Sequence, residues 1–168
     1  MEELDRPAYG KLIFVPSLIT LAITLLRLGA ELMDLPSWLA NKSAGGIGAL
    51  IGISWLPPIF GVYFAMKLMG ASGKLWWNLF KTLLLYGLAA RIPVIIIMGL
   101  AIYGNWGTHY DAFAGEGIAQ AAPLVKFLRG GVMTQLIWWV LIWTVGSGMV
   151  AGLITSLIAR SRRPAKAR

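Results

Sequence analysis

The chain has no cysteine and a single histidine in 168 residues. Disulfides, thiolate metal sites and thiol chemistry are therefore excluded, and neither a His-rich metal centre nor a bis-histidine haem site has its ligands. Charge is scarce too. Asp, Glu, Lys and Arg make up 13% of the residues, about half the share of roughly 25% found in soluble domains. Several motifs that announce chemistry are missing: no phosphate-binding P-loop, no G-x-G-x-x-G turn, no HExxH, no G-x-S-x-G and no lipidation signal. No cofactor and no metal are expected.

Apolar surface is what the sequence has in excess. Hydrophobic residues reach 58% and the mean hydropathy is +0.72, which places the chain among integral membrane proteins and makes it one membrane domain by length. Its net charge of +8 does not point to nucleic acid. Basic residues flank the apolar runs or gather in the tail 160–168, with Arg160, Arg162, Arg163, Lys166 and Arg168. That distribution reads as a topology signal and an attraction to anionic lipid.

Runs long enough to cross a bilayer, about 20 residues each, fall at 12–33, 44–69, 76–103 and 131–159. The expected fold is all-α: a bundle of four transmembrane helices in a cell (plasma or inner) membrane. The first run exceeds a signal-peptide core and ends with Arg27 and Glu31, so it is read as retained. Arg6, Lys11, Lys67, Lys74, Lys81 and the five tail residues lie on one side, against Lys42, Lys126 and Arg129 on the other. The positive-inside rule then puts both termini in the cytoplasm and the segment 104–130 outside, as one long external loop.

The first span carries an informative irregularity. Ser17, Thr20, Thr24, Arg27, Glu31 and Asp34 recur at spacings of three and four, forming one polar stripe on an otherwise apolar helix. Such a stripe is expected to face protein or water rather than lipid, and an intramembrane ionisable residue is by default a site or pathway candidate. Arg91 in the third span is the natural companion, because Arg27 and Arg91 each lie ~22 Å from the inner start of their span. With Glu31 one turn further out, a cluster of Arg27, Glu31 and Arg91 is expected. It is read either as an ion pair that fixes helix register or as a site for an anion or headgroup.

Proline and glycine add to the candidates. Pro57 and Pro58 are expected to kink or unwind the second helix between Ser54 and Pro58, freeing backbone groups such as those near Ser54. Gly48/Gly52 and Gly148/Gly152 have GxxxG spacing, which permits close helix approach within the subunit or between subunits. In the external loop His109 and Asp111 form an H-x-D pair, followed by a segment around Pro123 that suggests a surface helix. One His and one Asp lack the third member a catalytic set requires, since Thr108, Tyr110 and Glu116 are generic neighbours. His109 is better read as a lid and titrating gate over the charged cluster.

Three functions are compatible with these residues. The first is a small oligomeric channel or transporter component, with Thr20, Thr24, Arg27, Glu31, Ser54, Arg91, His109 and Asp111 lining the ligand or ion path. The second is a non-enzymatic accessory or scaffold subunit, partnered by copies of itself or by another membrane protein. The third is a lipid-modifying enzyme using His109.

Overall fold

The structure is a computed structural model, and it describes residues 8–36, 53–69, 74–113 and 116–161. The described residues are mainly helical, with no strand among them. Five helices are distinguished: α1 (Tyr9–Leu32), α2 (Leu56–Leu68), α3 (Leu75–Gly104), a four-residue α4 (Glu116–Ala119) and a terminal rod, α5 (Pro123–Ser161). Three of them, α1, α3 and α5, are long and apolar enough to cross a membrane. The protein is therefore an all-α membrane protein.

Boundaries follow local chemistry. Helix α2 has 13 residues and is preceded by a 3₁₀ turn at Ile53–Trp55. Pro57 and Pro58 occupy its first turn, where a missing N–H leaves no intrahelical bond unmade. The earlier part of the expected span 44–69, with Gly48 and Gly52, lies outside the described residues, as does the tail beyond Ser161. Helix α3 passes through Pro93 and stops where Asn105 adopts the left-handed conformation, φ 50°. Helix α5 starts at Pro123, eight residues before the expected 131, because proline is preorganised for a first helical position. The stretch with Lys126 and Arg129, expected in the external loop, is thus the first part of the rod.

The rod is wound in two ways. From Lys126 to Ser147 its turns are wide, with π-type i→i+5 bonding, and from Gly148 to Ser161 it is α-helical. Side chains register the change: Thr134 and Thr144 donate to carbonyls five residues back, at 3.1 and 2.7 Å, whereas Thr155 donates four residues back. Burial registers it as well. Gly130, Gln135, Val140 and Val145 step by five along the buried side, then Gly148, Gly152 and Ser156 step by four.

Helix α3 is central. Tyr9 on α1 donates to Asn78 on α3 at 2.9 Å, and Thr20 meets Tyr86 further along, so α1 and α3 run in the same direction. Against α3 the rod is antiparallel: Gly131 lies by Met98, Gly87 by Val140, and Gly148 by Leu83. Gly148 and Gly152 lie within the chain's own interior. A Cβ on Gly61 would stand 2.5 Å from the Gly148 carbonyl oxygen, and one on Gly152 would stand 2.5 Å from Leu79, so α2 crosses the rod backbone to backbone. Packing forms two apolar clusters along α3. Phe60, Phe64, Leu68, Leu79, Leu83, Tyr86, Ala90 and Val145 fill one end, and Val94, Ile97, Met98, Ala101 and Tyr110 fill the other. Arg91 stands in sequence between them.

Candidate functional site

The polar stripe of α1 turns inward. Thr20, Thr24 and Glu31 are buried, and their partners lie on α3 and on the turn that follows it. Thr20 donates to the Pro16 carbonyl at 2.9 Å, which leaves the Tyr86 hydroxyl to donate to Thr20 Oγ1 at 2.8 Å. Thr24 donates to the Thr20 carbonyl at 2.8 Å, and its own carbonyl accepts from the Tyr110 hydroxyl at 3.4 Å. The hydroxyls thus bond the preceding turn, as threonines in apolar helices do. Ser17 Oγ is buried with no partner.

At the end of α1 the Glu31 carboxylate, 0% exposed, is held from two directions. From within the helix, Arg27 Nε donates to Oε1 at 3.2 Å. From the turn after α3, the His109 backbone N–H donates to Oε2 at 3.0 Å, and His109 Nδ1 lies 2.7 Å from Oε2 and 2.5 Å from Oε1. With a carboxylate opposite, Nδ1 is the protonated nitrogen. One side chain of α1 therefore clamps residue 109 by backbone and ring together. Arg27 and His109 are partly open, at 19% and 24%.

The turn that brings His109 there is organised by Asp111. Its Oδ2 accepts the Gly107 N–H at 2.8 Å, and its Oδ1 accepts both the backbone N–H and the hydroxyl of Thr108, at 2.7 and 2.9 Å. Gly107 has φ +68°, which a side chain would strain. Asp111 serves the turn, and His109 and Asp111 do not converge on one point. No metal-binding group of His, Asp and Glu occurs among the described residues.

Tyr110 is buried beneath this turn. Its ring lies 3.8 Å from that of His109, tilted by 45°, and packs into the cluster of Val94, Ile97, Met98 and Ala101. Burial pushes its hydroxyl up to about 12, with Glu31 adding to the rise and Arg27 and Arg91 opposing it. Tyr110 is thus within electrostatic reach of all three charges.

Arg91 is not bonded to the Arg27–Glu31 pair. Measured from the Thr20–Tyr86 contact, Arg27 is seven residues on, Glu31 eleven and Arg91 five, so Arg91 is level with Arg27 to about 3 Å and offset from Glu31 by about 9 Å at ~1.5 Å per residue. Among the described residues Arg91 has no carboxylate partner. Its guanidinium, in a residue 4% exposed, lies over the Trp139 ring at 4.4 Å and donates from Nη1 to Gln135 Oε1 at a long 3.4 Å. Gln135 in turn donates to the Met98 sulfur at 3.5 Å. Ser54 belongs elsewhere: its carbonyl accepts the Trp143 indole N–H at 2.8 Å and ties α2 to the rod.

Sequence reasoning missed Gln135 and Trp139. Gln135 carried the same signal as Arg91, a strongly polar side chain inside a membrane span. Trp139 carried none, since interior tryptophans ordinarily fill space. Comparison with known protein families, curated proteins and solved structures returns no match, so the reading of the site rests on its own geometry.

Proposed function

We propose that the protein is a small integral membrane component of a channel or transporter, acting as an oligomer, with its polar seam as the ligand or ion path. One observation carries the reading: buried polar groups are strung along α3 and the turn after it, with Thr20 on Tyr86, Gln135 on Arg91 and Glu31 on the His109 turn. A fixed ion pair that only set helix register would need Arg27 and Glu31 alone. It would not account for Arg91, a buried cation about 9 Å below the level of Glu31. The clamp on His109 supplies the gate, and the side chains along the line supply the path.

Charge supports an orientation. Lys11, Lys67, Lys74, Lys81 and Arg160 fall at the end of the bundle where α1 and α3 begin, opposite the His109 turn. By the positive-inside rule that end is cytoplasmic, and the His109 turn faces out. The tail 160–168 is assigned to anionic lipid.

Flux through proteoliposomes holding the purified chain tests the proposal. Glu31→Gln and Arg91→Gln should each change flux while the protein remains folded in detergent. Wild-type flux in both folded variants would remove the seam from any path.

A second reading has its own observation. Helix α1 turns its polar stripe inward with Pro16 and Ala30, and Phe14, Val15, Leu18, Leu25 and Leu26 are exposed on the rest, a face that among the described residues is open to lipid or to a partner helix. An accessory subunit would use that face. It should co-purify with a partner in mild detergent, and a solitary, stable monomer would exclude it.

A further inference from the structure

Arg91 is a buried cation whose partners among the described residues are a neutral amide and an aromatic face. Isolated charge in an apolar surround is costly, for arginine at a membrane centre above all. The surroundings also hold more donor capacity than good acceptors. The guanidinium reaches one carbonyl oxygen at the limit of hydrogen bonding, and the Gln135 amide N–H is turned on a thioether, a weak acceptor. An arrangement of one full positive charge, a loosely held amide donor and apolar clusters before and after it along α3 is complementary to an anion.

We propose that Arg91, with the Gln135 amide and the Trp139 ring, binds a small, weakly hydrated monovalent anion, which is the solute of the path inferred above. The inference rests on that transport reading and names its cargo. Position excludes the other source of negative charge. Arg91 lies about 24 Å from the start of α3 and about 20 Å from its end at ~1.5 Å per residue, near the middle of a hydrocarbon core about 30 Å thick, beyond the level of a lipid phosphate. The apolar clusters select against multivalent anions, whose desolvation is costlier than that of a single diffuse charge. Tyr110 shares an apolar cluster with Val94 and Met98 and belongs to the turn clamped by Glu31, and exchange of the anion is tied to release of that clamp.

The experiment is thermal unfolding of the purified full chain in a neutral detergent. Sodium nitrate is titrated against sodium gluconate at constant ionic strength, and sodium sulfate is run in parallel. A ligand of the folded state raises the midpoint in a concentration-dependent way that saturates the site. Nitrate should do so and sulfate should not. Arg91→Gln should abolish the nitrate response, and Arg91→Lys should weaken the apparent affinity about tenfold or more, since a point charge replaces the planar fork. Gln135→Leu and Trp139→Phe keep the arginine and should weaken it without abolishing it, which preserves the test should Arg91→Gln fail to fold. Lys126→Gln, at the start of the rod, should respond as wild type.

An equal response in folded Arg91→Gln, or sulfate stabilising as well as nitrate, overturns the inference. So does abolition of the nitrate response by phosphatidylglycerol added to the detergent, which would make a headgroup the occupant. Flux that depends on Glu31 without any nitrate stabilisation would sink the anion site and leave the transport reading standing. Saturable nitrate binding without flux in any preparation would do the reverse.

Discussion

Replacing Glu31 by glutamine should free the turn that carries His109 without loosening the bundle. The wild-type carboxylate accepts three N–H donors: Arg27 Nε, the His109 amide and His109 Nδ1. A hydrogen bond to a charged group is worth about 1.5–3 kcal/mol and a neutral one about 0.5–1.5, so neutralising the acceptor costs about 1 kcal/mol or more per bond. Glutamine also turns one acceptor into an NH₂, which meets a donor on whichever side it faces. The Arg27 contribution is discounted, because that side chain is 19% exposed and water screens it. The sum, about 2–3 kcal/mol, corresponds to an opening equilibrium shifted by a factor of roughly 30 to 150. Amide hydrogen exchange reads this directly, since the His109 N–H is itself bonded to Glu31 Oε2. Exchange at His109 and Tyr110 should accelerate by that factor, while amides from Leu79 to Ala90 keep their wild-type rates. Unchanged exchange at His109 would refute the clamp, and equal acceleration along α3 would show Glu31 to be a global support instead.

Other consequences are equally specific. Gly61→Ala places a methyl 2.5 Å from the Gly148 carbonyl oxygen, where backbone cannot yield, and should lower stability by about 1–3 kcal/mol; Gly29→Ala, with nothing within 4 Å, should be close to neutral, and thermal unfolding in detergent compares the two. Ser17→Ala removes a buried hydroxyl without a partner and should be neutral or stabilising, because no bond is lost and a desolvation cost is relieved; a loss above about 1 kcal/mol would mean that the hydroxyl is bonded in the membrane. Tyr110, raised to about 12 from an unfolded value near 10, favours folding in its neutral form, so its contribution is complete below pH 10 and is lost as pH rises toward 12. Tyr110→Phe should remove that part of the alkaline destabilisation, as measured by the difference in unfolding midpoint between the two proteins across that window.

Much of the site was legible because it rests on local periodicity. Thr20, Thr24 and Glu31 announce an inward face by spacings of three and four, and α1 buries that face. Arg91 was legible as an intramembrane cation, but its distance from Glu31 was not: level span starts place the two one turn apart, while the Thr20–Tyr86 contact sets the offset at about 9 Å. The pairing of His109 with Glu31 joins residues 78 apart in sequence, and sequence could say only that both lie toward one side. The rod was least legible. Its buried positions step by five from Gly130 to Val145, whereas a sequence reading assumes 3.6 residues per turn, so Gln135 could not be assigned to the face that meets Arg91. Gly148 and Gly152 were visible as small residues. Gly61 on the facing helix gave no signal, because a close approach is a property of two backbones.

The separation of Glu31 from Arg91 is itself an energetic outcome. A charge separation equal to the axial offset of about 9 Å would, at an effective dielectric of about 20, give an attraction of roughly 2 kcal/mol, too little to break three hydrogen bonds to one carboxylate. Tyr110 reinforces the division, because its ring fills the space beneath His109 and its hydroxyl is bonded to the Thr24 carbonyl, not to either charge. Glu31 therefore stays with the turn, and Arg91 has no carboxylate partner among the described residues. The turn and Arg91 are thus held by different means: a carboxylate fixes the turn, and a neutral amide and an aromatic ring hold the guanidinium.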